Sequence, residues 1–366
     1  MIKKLKEICD VAKGKQIDTN LLHDTNQYKY INGGIKESGY FSEYNTERKT
    51  VIVSEGGASC GYVNYMEEPF WCGCHCYKLT NSKVNDKYLY YLLKGNQNKI
   101  MSLRTGATMP NIKKSLFENM EVKLTFNQEQ QKSIITDLDC LNNLIKTKNQ
   151  QLFFLDELIK SRFIEMFGDI DENVKGWTIG KIQDIAKCVA GATPSTAKPE
   201  YWENGTIPWL SSGEVNKYRI YETDSKITQL GYNNASTKLV PAHTVVLAMA
   251  GQGKTRGTAA ITEIELCTNQ SICSLVTNEK MNSEFLLFYL KSQYEQLRAA
   301  SNGAEGRGGL NLKIIGNFPI IIPNIELQNE FAYFVEQIDK SKFIVQQQIK
   351  DLQELLDKKM DEYFGE

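Results

Sequence analysis

The sequence lacks the features that mark membrane-spanning and secreted proteins. Its 366 residues contain no run of about 18 apolar residues, which excludes a membrane-spanning helix. The first six residues, Met-Ile-Lys-Lys-Leu-Lys, carry charges where a signal peptide needs an apolar stretch. The nine cysteines are an odd number and do not have the spacing of a disulfide framework. We therefore expect a cytoplasmic protein with reduced thiols and no membrane partner.

Motifs of catalysis are also missing. Only three histidines occur, at positions 23, 75 and 243, which disfavours a histidine-centred catalytic triad. No two of the eight prolines are adjacent, so the Asp/Asn-Pro-Pro-aromatic motif of amino-methyltransferases is absent. The Gly-Lys-Thr at 253–255 lacks the glycine that a phosphate-binding loop requires at position 248. We expect that this chain performs no catalysis by itself.

What the sequence does contain is an internal duplication. Residues 127–169 align with residues 324–366 without a gap, with identity at 11 of 43 positions. Upstream, the segment from Lys4 to Gly14 resembles the segment from Lys181 to Gly191. Each copy is therefore a domain followed by a long segment of helical character.

The two long segments have the signals of helices. No proline or glycine occurs between Asn127 and Phe167, and Asn127 and Gly168 suit the two helix ends. Apolar residues recur every three or four positions, as in a coiled coil. Because the order is domain, helix, domain, helix, the second helix can pair with the first only by running antiparallel to it. The predicted segments are a first domain at 1–125, a helix at 126–168, a linker at 169–177, a second domain at 178–323 and a helix at 324–366.

A second apolar stripe lies beside the coiled-coil positions of each helix. Its members are Phe163 and Phe167 in the first helix and Met360 and Phe364 in the second. Two interpretations are open: the stripe covers the junction between helix and domain, or it binds the helices of another subunit.

The cysteine-rich stretch Cys72-Gly-Cys74-His75-Cys76 is the best candidate for a metal site. The corresponding positions of the second copy hold Asn269, Ser271 and Cys273, so two of three thiols are missing there. Zinc sites also pair C-x-x-C spacings, which this stretch lacks. We expect a buried strand and no metal.

The distribution of charge favours a polyanion as partner of the two domains. Residues 1–125 carry 18 basic and 13 acidic side chains, a balance of +5, and residues 178–323 carry 14 and 12, a balance of +2. Residues 324–366 carry 5 and 10, a balance of -5. Two mildly basic blocks thus alternate with acidic ones.

Each domain contains a strand, a glycine-rich loop and a second strand, at 51–63 and at 245–258. Glycine lets a backbone approach a partner closely, and Gln, Lys, Thr and Arg read base edges and phosphates. An ordinary hairpin with polar loop residues is the alternative. From Gly14 to Val51 there are 37 residues and from Gly191 to Val245 there are 54, so the second domain carries 17 more.

Several stretches together resemble the specificity (S) subunit of type I restriction-modification systems. The resemblance covers essentially the whole chain, although the first copy has no Ile-Pro-Trp element. The stretches are Arg104-Thr-Gly106-Ala-Thr108 with Asn111-Ile and Glu129-Gln130; Thr193-Pro194 with Ile207-Pro208-Trp209 and Gly213-Glu214-Val215; Ile227-Thr228; Asn269-Gln270; and Phe167-Gly168-Asp169 before Trp177.

The resemblance implies two pseudo-symmetric target recognition domains of mixed α/β fold, joined by an antiparallel coiled coil. Each domain would read one half of a bipartite site in double-stranded DNA, and the helices would set the gap. The helices would also bind two modification subunits, which carry S-adenosylmethionine and methylate adenine. Restriction subunits, which use ATP and Mg, would join to cleave. No cofactor is expected in this chain, and the alternative is a coiled-coil adaptor whose domains bind protein.

The residues expected to contact DNA lie in named loops of the two domains. Arg104 and Arg256 are favoured, because arginine offers both bidentate guanine contacts and phosphate contacts. The candidates are Lys15, Gln16, Tyr40, Ser59, Arg104, Thr105 and Thr108 in the first domain, and Thr193, Ser195, Ser211, Ser212, Gln252, Lys254, Thr255, Arg256 and Arg307 in the second.

Overall fold

The structure is a computed structural model that describes all residues except 26, 107, 252, 302–308 and 366. It divides into two compact units, Met1–Gln151 with Val345–Glu366, and Leu152–Ile344. Both units mix strands and helices, which confirms the predicted fold class. None of the helices, over the described residues, combines the length and the apolar character of a transmembrane span.

The first unit is built on one four-stranded and one three-stranded sheet. Its strands are β1 (Ile2–Lys4), β2 (Asp10–Lys13), β3 (Tyr28–Ile31), β4 (Gly39–Phe41), β5 (Thr50–Ser54), β6 (Val63–Met66), β7 (Phe70–Cys72), β8 (Cys76–Thr80), β9 (Arg104–Thr105), β10 (Asn111–Ile112) and β11 (Glu121–Lys123). The larger sheet has the antiparallel order β2-β8-β5-β6, and the smaller has the order β4-β3-β7 with β3 parallel to β7. β1 pairs with β11, and β9 pairs with β10.

Helices cover the larger sheet of the first unit. They are α1 (Asp86–Gly95), α2 (Gln97–Ser102), α3 (Lys114–Glu118) and the long α4 (Gln128–Phe167), with 3₁₀ turns at Leu5–Glu7 and Thr19–Leu21. The Asn85 side chain caps α1 by accepting from the Lys87 amide over 2.9 Å. Leu89, Leu92 and Leu93 of α1 are fully buried in the core with strands β5 and β8.

The second unit repeats this plan. Its strands are β12 (Thr178–Lys181), β13 (Ala186–Ala190), β14 (Ile207–Leu210), β15 (Arg219–Ile220), β16 (Ser225–Ile227), β17 (Val245–Ala248), β18 (Ala259–Thr262), β19 (Cys267–Thr268), β20 (Ile272–Thr277) and β21 (Pro319–Ile322). The sheets have the orders β13-β20-β17-β18-β15 and β16-β14-β19, and β12 pairs with β21. Without β15, each order matches its counterpart in the first unit strand for strand, so the duplication in the sequence is a duplication of fold.

The helices of the second unit also follow the first. They are α5 (Ile182–Ile185), α6 (Gln229–Asn233), α7 (Ser283–Ser292), α8 (Tyr294–Ala300), α9 (Leu312–Gly316) and the long α10 (Ile325–Phe364), with 3₁₀ turns at Pro199–Tyr201 and Ser212–Lys217. The 17 extra residues therefore lie in the region that supplies β15, α6 and both turns. Arg219 on β15 connects this region to the core through ion pairs with Glu284 of α7 and Asp339 of α10.

The two long helices are confirmed and run antiparallel. The Asn127 side chain accepts from the Gln130 amide at the start of α4, and Gly168 ends it with a φ of 80°. In the second unit Arg162 pairs with Glu330 at 2.9 Å and Asp156 with Lys342 at 2.6 Å. The residue numbers rise along α4 as they fall along α10. In the first unit Tyr363 donates to Asp137 over 2.6 Å, and Leu138, Leu141, Leu352 and Leu356 pack in one cluster.

Candidate nucleic-acid interface

The glycine loop of the first unit, residues 55–62 between β5 and β6, is a compact turn. Gly57 donates to the Pro110 carbonyl and Gly61 donates to the Ser54 carbonyl. Gly61 has a φ of 81°, and a Cβ there would lie 3.0 Å from the side chain of Met101 on α2. Glycine is required at Gly61 for both reasons.

A buried carboxylate anchors the base of this loop. Glu55 is 6% exposed and accepts hydrogen bonds from Lys13 at 2.7 Å and from the Tyr77 hydroxyl at 3.1 Å. Burial and the neighbouring Glu55 raise the pKa of Tyr77, so its phenol stays protonated and donating. The base of the loop is thus held by a charge-assisted hydrogen-bond network.

Arg104, one of the two favoured DNA contacts, points toward the glycine loop of its own unit. Its guanidinium donates to the Cys60 carbonyl at the end of the loop, and the residue is half-buried. β9 and β10 form a short hairpin beside the loop, with Asn111 bridged to Gly56. The structure therefore gives Arg104 a role in shaping the loop.

The glycine loop of the second unit, residues 249–258 between β17 and β18, is anchored from α8. The Arg298 guanidinium donates to the Gly253 carbonyl at 2.8 Å and to the Arg256 carbonyl at 3.3 Å. The Tyr294 hydroxyl donates to the Lys254 carbonyl at 2.9 Å and accepts from Arg298. With its carbonyls engaged on the helix side, the loop presents the Lys254 side chain to solvent.

A second segment accompanies each glycine loop, beginning at Gly14 in one unit and at Gly191 in the other. A Cβ on Gly14 would lie 2.1 Å from the Gly73 carbonyl oxygen, and one on Gly191 would lie 1.9 Å from that of Thr268. Both positions therefore need glycine. Lys15, directly after Gly14, and Thr193, two positions after Gly191, are exposed.

Tryptophan side chains hold these second segments. The Trp71 indole donates to the Lys15 carbonyl over 2.8 Å. In the second unit Trp209 donates to the Ala192 carbonyl over 3.0 Å and Trp202 to the Ser195 carbonyl over 3.1 Å. The rings of Trp202 and Trp209 meet edge to face at 5.0 Å.

Glycine loop and second segment lie at the same end of each larger sheet. In the first unit the Lys15 amide donates to the Cys72 carbonyl, and the Glu55 amide donates to the His75 carbonyl. The turn that joins β7 to β8 thus lies between them. In the second unit Ala192 donates to Thr268 and Met249 donates to Ser271, on the two sides of the turn from β19 to β20. Each unit presents one composite polar surface.

The predicted contact residues divide by exposure. Two of them, Gln252 and Arg307, lie outside the described residues. Tyr40 lies on the outer strand of the small sheet, away from the glycine loop. The exposed candidates are Lys15, Gln16, Thr105, Thr108, Thr193, Ser195 and Lys254, and the half-buried ones are Tyr40, Ser59, Arg104, Ser211, Ser212, Thr255 and Arg256.

Several candidates make intrachain hydrogen bonds. Ser211 donates to Glu214 from both its amide and its hydroxyl at 3.0 Å, which caps the following 3₁₀ turn. Thr193 donates to Gln270 at 2.5 Å, and Gln16 accepts from the Cys74 thiol at 2.8 Å. Ser211 has the clearest structural role of these, because Glu214 is 5% exposed.

The second apolar stripe of the helices is buried within the chain. Phe163 and Phe167 are 4% and 0% exposed and contact the ring of Phe331 at 5.3 and 5.6 Å. Phe364 is 2% exposed and meets Tyr88 edge to face at 5.6 Å. Met360 packs partly buried against the same core. The stripe covers the junction of helix and domain, which is the first of the two interpretations, and its burial within the chain disfavours a role in binding another subunit.

The described residues contain no cluster of metal-ligating side chains. Cys72 and Cys76 are fully buried at the facing ends of β7 and β8, whereas His75 is exposed. Interaction with Cys76 and burial raise the pKa of the Cys72 thiol. The expectation of one buried strand was wrong for residues 73–75, which form the turn between β7 and β8, and Cys72 and Cys76 are the buried strand ends on either side.

Inspection of the sequence missed the residues that hold the loops. Arg298 and Tyr294 are 40 to 45 residues away from their partners along the chain. In the structure Met101 of α2 lies against Gly61 and Arg298 of α8 lies against Gly257, but no local pattern in the sequence marks either contact. Glu55 could have been suspected from its place directly after an apolar strand.

Comparisons with known proteins identify the family. Residues 1–153 and 174–354 match the family described as type I restriction modification DNA specificity domain. Those two ranges cover both units and most of both long helices.

Individual relatives agree with this match. A Mycoplasma pneumoniae protein named as a type I specificity subunit is 26% identical over 235 residues, which are 61% of this chain and 62% of the relative. The specificity subunit of the Escherichia coli type I enzymes EcoR124I and EcoR124II is 27% identical over 195 residues, 53% of this chain and 45% of the relative. The chain thus matches about three fifths of the length of the first relative and less of the second.

Solved structures share the fold. The S subunit of a type I restriction-modification system from M. genitalium superposes with a TM-score of 0.66 at 20% identity, over 100% of this chain and 96% of that one. A chain from a study of assembly and conformational transition of the type I system gives 0.62 at 12% identity, over 99% and 97%. By its sequence match and its duplicated fold, this chain belongs to the family of type I restriction-modification DNA specificity domains.

Proposed function

We propose that this chain is the specificity subunit of a type I restriction-modification complex, in which each unit reads one half of a bipartite sequence in double-stranded DNA. The observation that carries the proposal is the repeated composite surface. Both units place an anchored glycine loop and an exposed polar segment at the same end of the same sheet. Prearranged backbone and exposed Lys and Thr side chains suit a DNA groove.

The two surfaces differ enough to read different bases. Between Gly191 and Val245 the second unit has the strand β15 and the helix α6, which have no counterpart between Gly14 and Val51 of the first. Loop variation on a common scaffold changes contacts and preserves the fold. We therefore expect two unlike half-sites, with the paired helices setting the gap between them.

The chemistry of the complex lies in its partners. Two modification subunits would supply S-adenosylmethionine and transfer the methyl group to adenine N6, and restriction subunits would use ATP and Mg to cleave. The target adenine would have to leave the helix stack to reach the modification subunit's pocket. Because the substrate is chromosomal DNA, we place the complex in the cytoplasm.

Exposed apolar side chains on the long helices are the surface that would bind modification subunits. On α4, Phe153 is 59% and Phe154 is 65% exposed, with their rings 5.7 Å apart. On α10, Phe343 is 68% and Ile344 is 57% exposed. Large apolar side chains exposed to water in this way are typical of protein interfaces. This surface replaces the buried stripe in the docking role.

The experiment is to co-express the chain with a candidate modification methyltransferase from the same genome and to map N6-methyladenine in the host genome by single-molecule sequencing. The proposal predicts a split motif, two short half-sites around a fixed unspecified gap. A stable, cofactor-loaded complex that leaves no methylation would favour the adaptor whose domains bind protein. Removal of one heptad from each helix should change the gap and leave both half-sites unchanged.

A further inference from the structure

A cavity of about 620 Å³ lies in the second unit between α4, α7 and α10. Aromatic rings line its interior and three lysine side chains, one from each helix, surround it. We call it the lysine pocket. The residues that matter here are Phe163, Tyr218, Phe288, Lys160 of α4, Lys291 of α7 and Lys342 of α10.

Two of these lysines have carboxylate partners. Lys342 pairs with Asp156 at 2.6 Å and lies 3.7 Å from Asp339. Lys160 pairs with Glu157 at 2.7 Å. Of these acidic residues only Asp156 lines the pocket, so the lining carries three positive charges and one negative charge.

The third lysine, Lys291, differs. In the described part of the chain no carboxylate lies within 4.0 Å of its ammonium, which instead stands over the ring of Tyr218 at 4.3 Å and that of Phe288 at 5.3 Å. Desolvation and the neighbouring Lys342 lower the pKa of Lys291. A positive charge held beside other positive charges in a concave apolar site is what an anionic ligand would neutralise.

The aligned positions of the first unit do not hold three lysines, so the shared fold does not require the lysine cluster. The repeat aligns Lys160 with Asp357 and Lys342 with Ile145. Lys94, which corresponds to Lys291, is held by the Gln97 side chain at 2.8 Å and stands 4.0 Å from the ring of Tyr62. Only one of the three lysines has a lysine counterpart in the first unit, so the cluster of three is particular to the second unit.

We propose that the lysine pocket binds a small organic anion with a flat apolar body, of the chemical class of nucleoside phosphates. Ligand pockets commonly measure about 300–1,000 Å³, and apolar walls with a few charged groups are their usual lining. The rings of Tyr218 and Phe288 would pack against the planar part, and the Lys291 and Lys160 ammonium groups would hold the phosphate. A ligand there would touch both long helices and α7 of this unit.

Isothermal titration of the full chain with AMP tests the proposal, with adenosine and inorganic phosphate as separate probes. We expect saturable binding of AMP, much weaker binding of adenosine, and a loss of about tenfold or more in affinity for Lys291→Met. Lys94→Met, the matched position of the first unit, should bind AMP as the unchanged chain does. AMP should also raise the Tm of the protein by mass action, and this rise should be lost in Lys291→Met.

A second variant and a mapping experiment guard against a folding defect. Lys160→Met alters a helix surface position whose side chain is 66% exposed, and it should also weaken AMP binding. Photolabelling with 8-azido-AMP followed by peptide mapping should modify Tyr218, residues 283–292, the second half of α4 or the part of α10 around Lys342. Absence of saturable binding, equal affinity for adenosine and AMP, or labelling elsewhere would overturn the proposal. Saturation by an acidic peptide but not by AMP would also overturn it.

Discussion

The guanidinium of Arg298 donates to the carbonyl oxygen of Gly253 over 2.8 Å, so a helix of the second unit holds the glycine loop from behind. In the first unit Arg104 holds the glycine loop in a similar way, because its guanidinium donates to the Cys60 carbonyl. An arginine thus fixes a loop backbone in each unit without itself occupying the exposed surface. The loops are prearranged for a partner, which lowers the entropy cost of binding.

Replacement of Arg298 by Met should weaken recognition of one half-site only. The loop at 249–258 would lose the hydrogen bonds that its carbonyls accept, each contributing about 1.5–3 kcal/mol when the donor is charged. DNA affinity should fall for the half-site that the second unit reads. Gel-shift competition with duplexes altered in one half-site or the other would measure this, and Arg104→Met should produce the opposite pattern. Equal losses at both half-sites would contradict the assignment.

Arg256→Ala should reduce affinity for the cognate DNA by about 1–3 kcal/mol and relax preference at one base pair, provided that Arg256 reads a base. Lys254→Ala, as a phosphate contact, should weaken all sequences alike and reduce the dependence on salt concentration. Fluorescence anisotropy at several salt concentrations separates the two behaviours. Unchanged affinity and unchanged site preference would remove Arg256 from the contacts.

Gly191→Ala should unfold the second unit more readily, because its Cβ would lie 1.9 Å from the Thr268 carbonyl oxygen. Backbone on both sides of the contact would have to move, at a cost of about 1–3 kcal/mol or more. Gly213→Ala is the matched control, since its Cβ would meet only the Ser211 hydroxyl at 3.9 Å. Urea denaturation followed by tryptophan fluorescence measures both variants. Equal midpoints for the two would show that the close approach is absent.

Arg219→Met should destabilise the second unit strongly at neutral pH. Arg219 pairs with Glu263, Glu284 and Asp339 at 2.6–2.7 Å, and all four side chains are 13–20% exposed. Without the guanidinium the carboxylates would be left uncompensated, which costs about 3–5 kcal/mol. The loss of stability caused by Arg219→Met should become smaller as the pH falls. Burial already raises the pKa of Glu284, and protonation of this carboxylate removes its repulsion from Glu263 and Asp339. A loss independent of pH would contradict the ionic explanation.

Lys291 should make stability rise with pH in the alkaline range. Its folded pKa is lowered from the ordinary 10.5, so between the two values the unfolded chain binds more protons than the folded one. Stability therefore increases as the pH rises through this window, and Lys291→Met should reduce the increase to the part that Lys94 contributes, whose pKa burial also lowers. Thermal unfolding of both proteins across the alkaline range is the measurement. A parallel rise in the variant would assign the effect to another group.

Local signals in the sequence were sufficient to predict the two long helices and the duplication of the domains. The duplicated pattern and the caps at Asn127 and Gly168 predicted α4 nearly to its ends, and the repeat predicted its partner α10. The glycines at 14 and 191, used as alignment landmarks, proved to be points of close backbone approach. These features depend on neighbours in sequence or on comparison of one copy with the other.

Contacts between distant residues were beyond the sequence. An apolar stripe such as Phe163 and Phe167 shows that a surface is covered but not whether another subunit or the same chain covers it. Arg104 has the charge of a DNA contact, yet only the structure shows its guanidinium bound to the Cys60 carbonyl. The lysine pocket lies between three helices whose lysines are 51 to 182 positions apart in the sequence, so no local sequence pattern predicts it.

Replacement of the second unit's glycine loop tests whether each unit reads one half of a bipartite site. A chain with residues 249–258 exchanged for the corresponding loop of another specificity subunit would be co-expressed with its methyltransferase, and N6-methyladenine would be mapped in the genome. We expect one half-site to change while the other half-site and the gap stay the same. A change in both half-sites, or in neither despite active methylation, would contradict it.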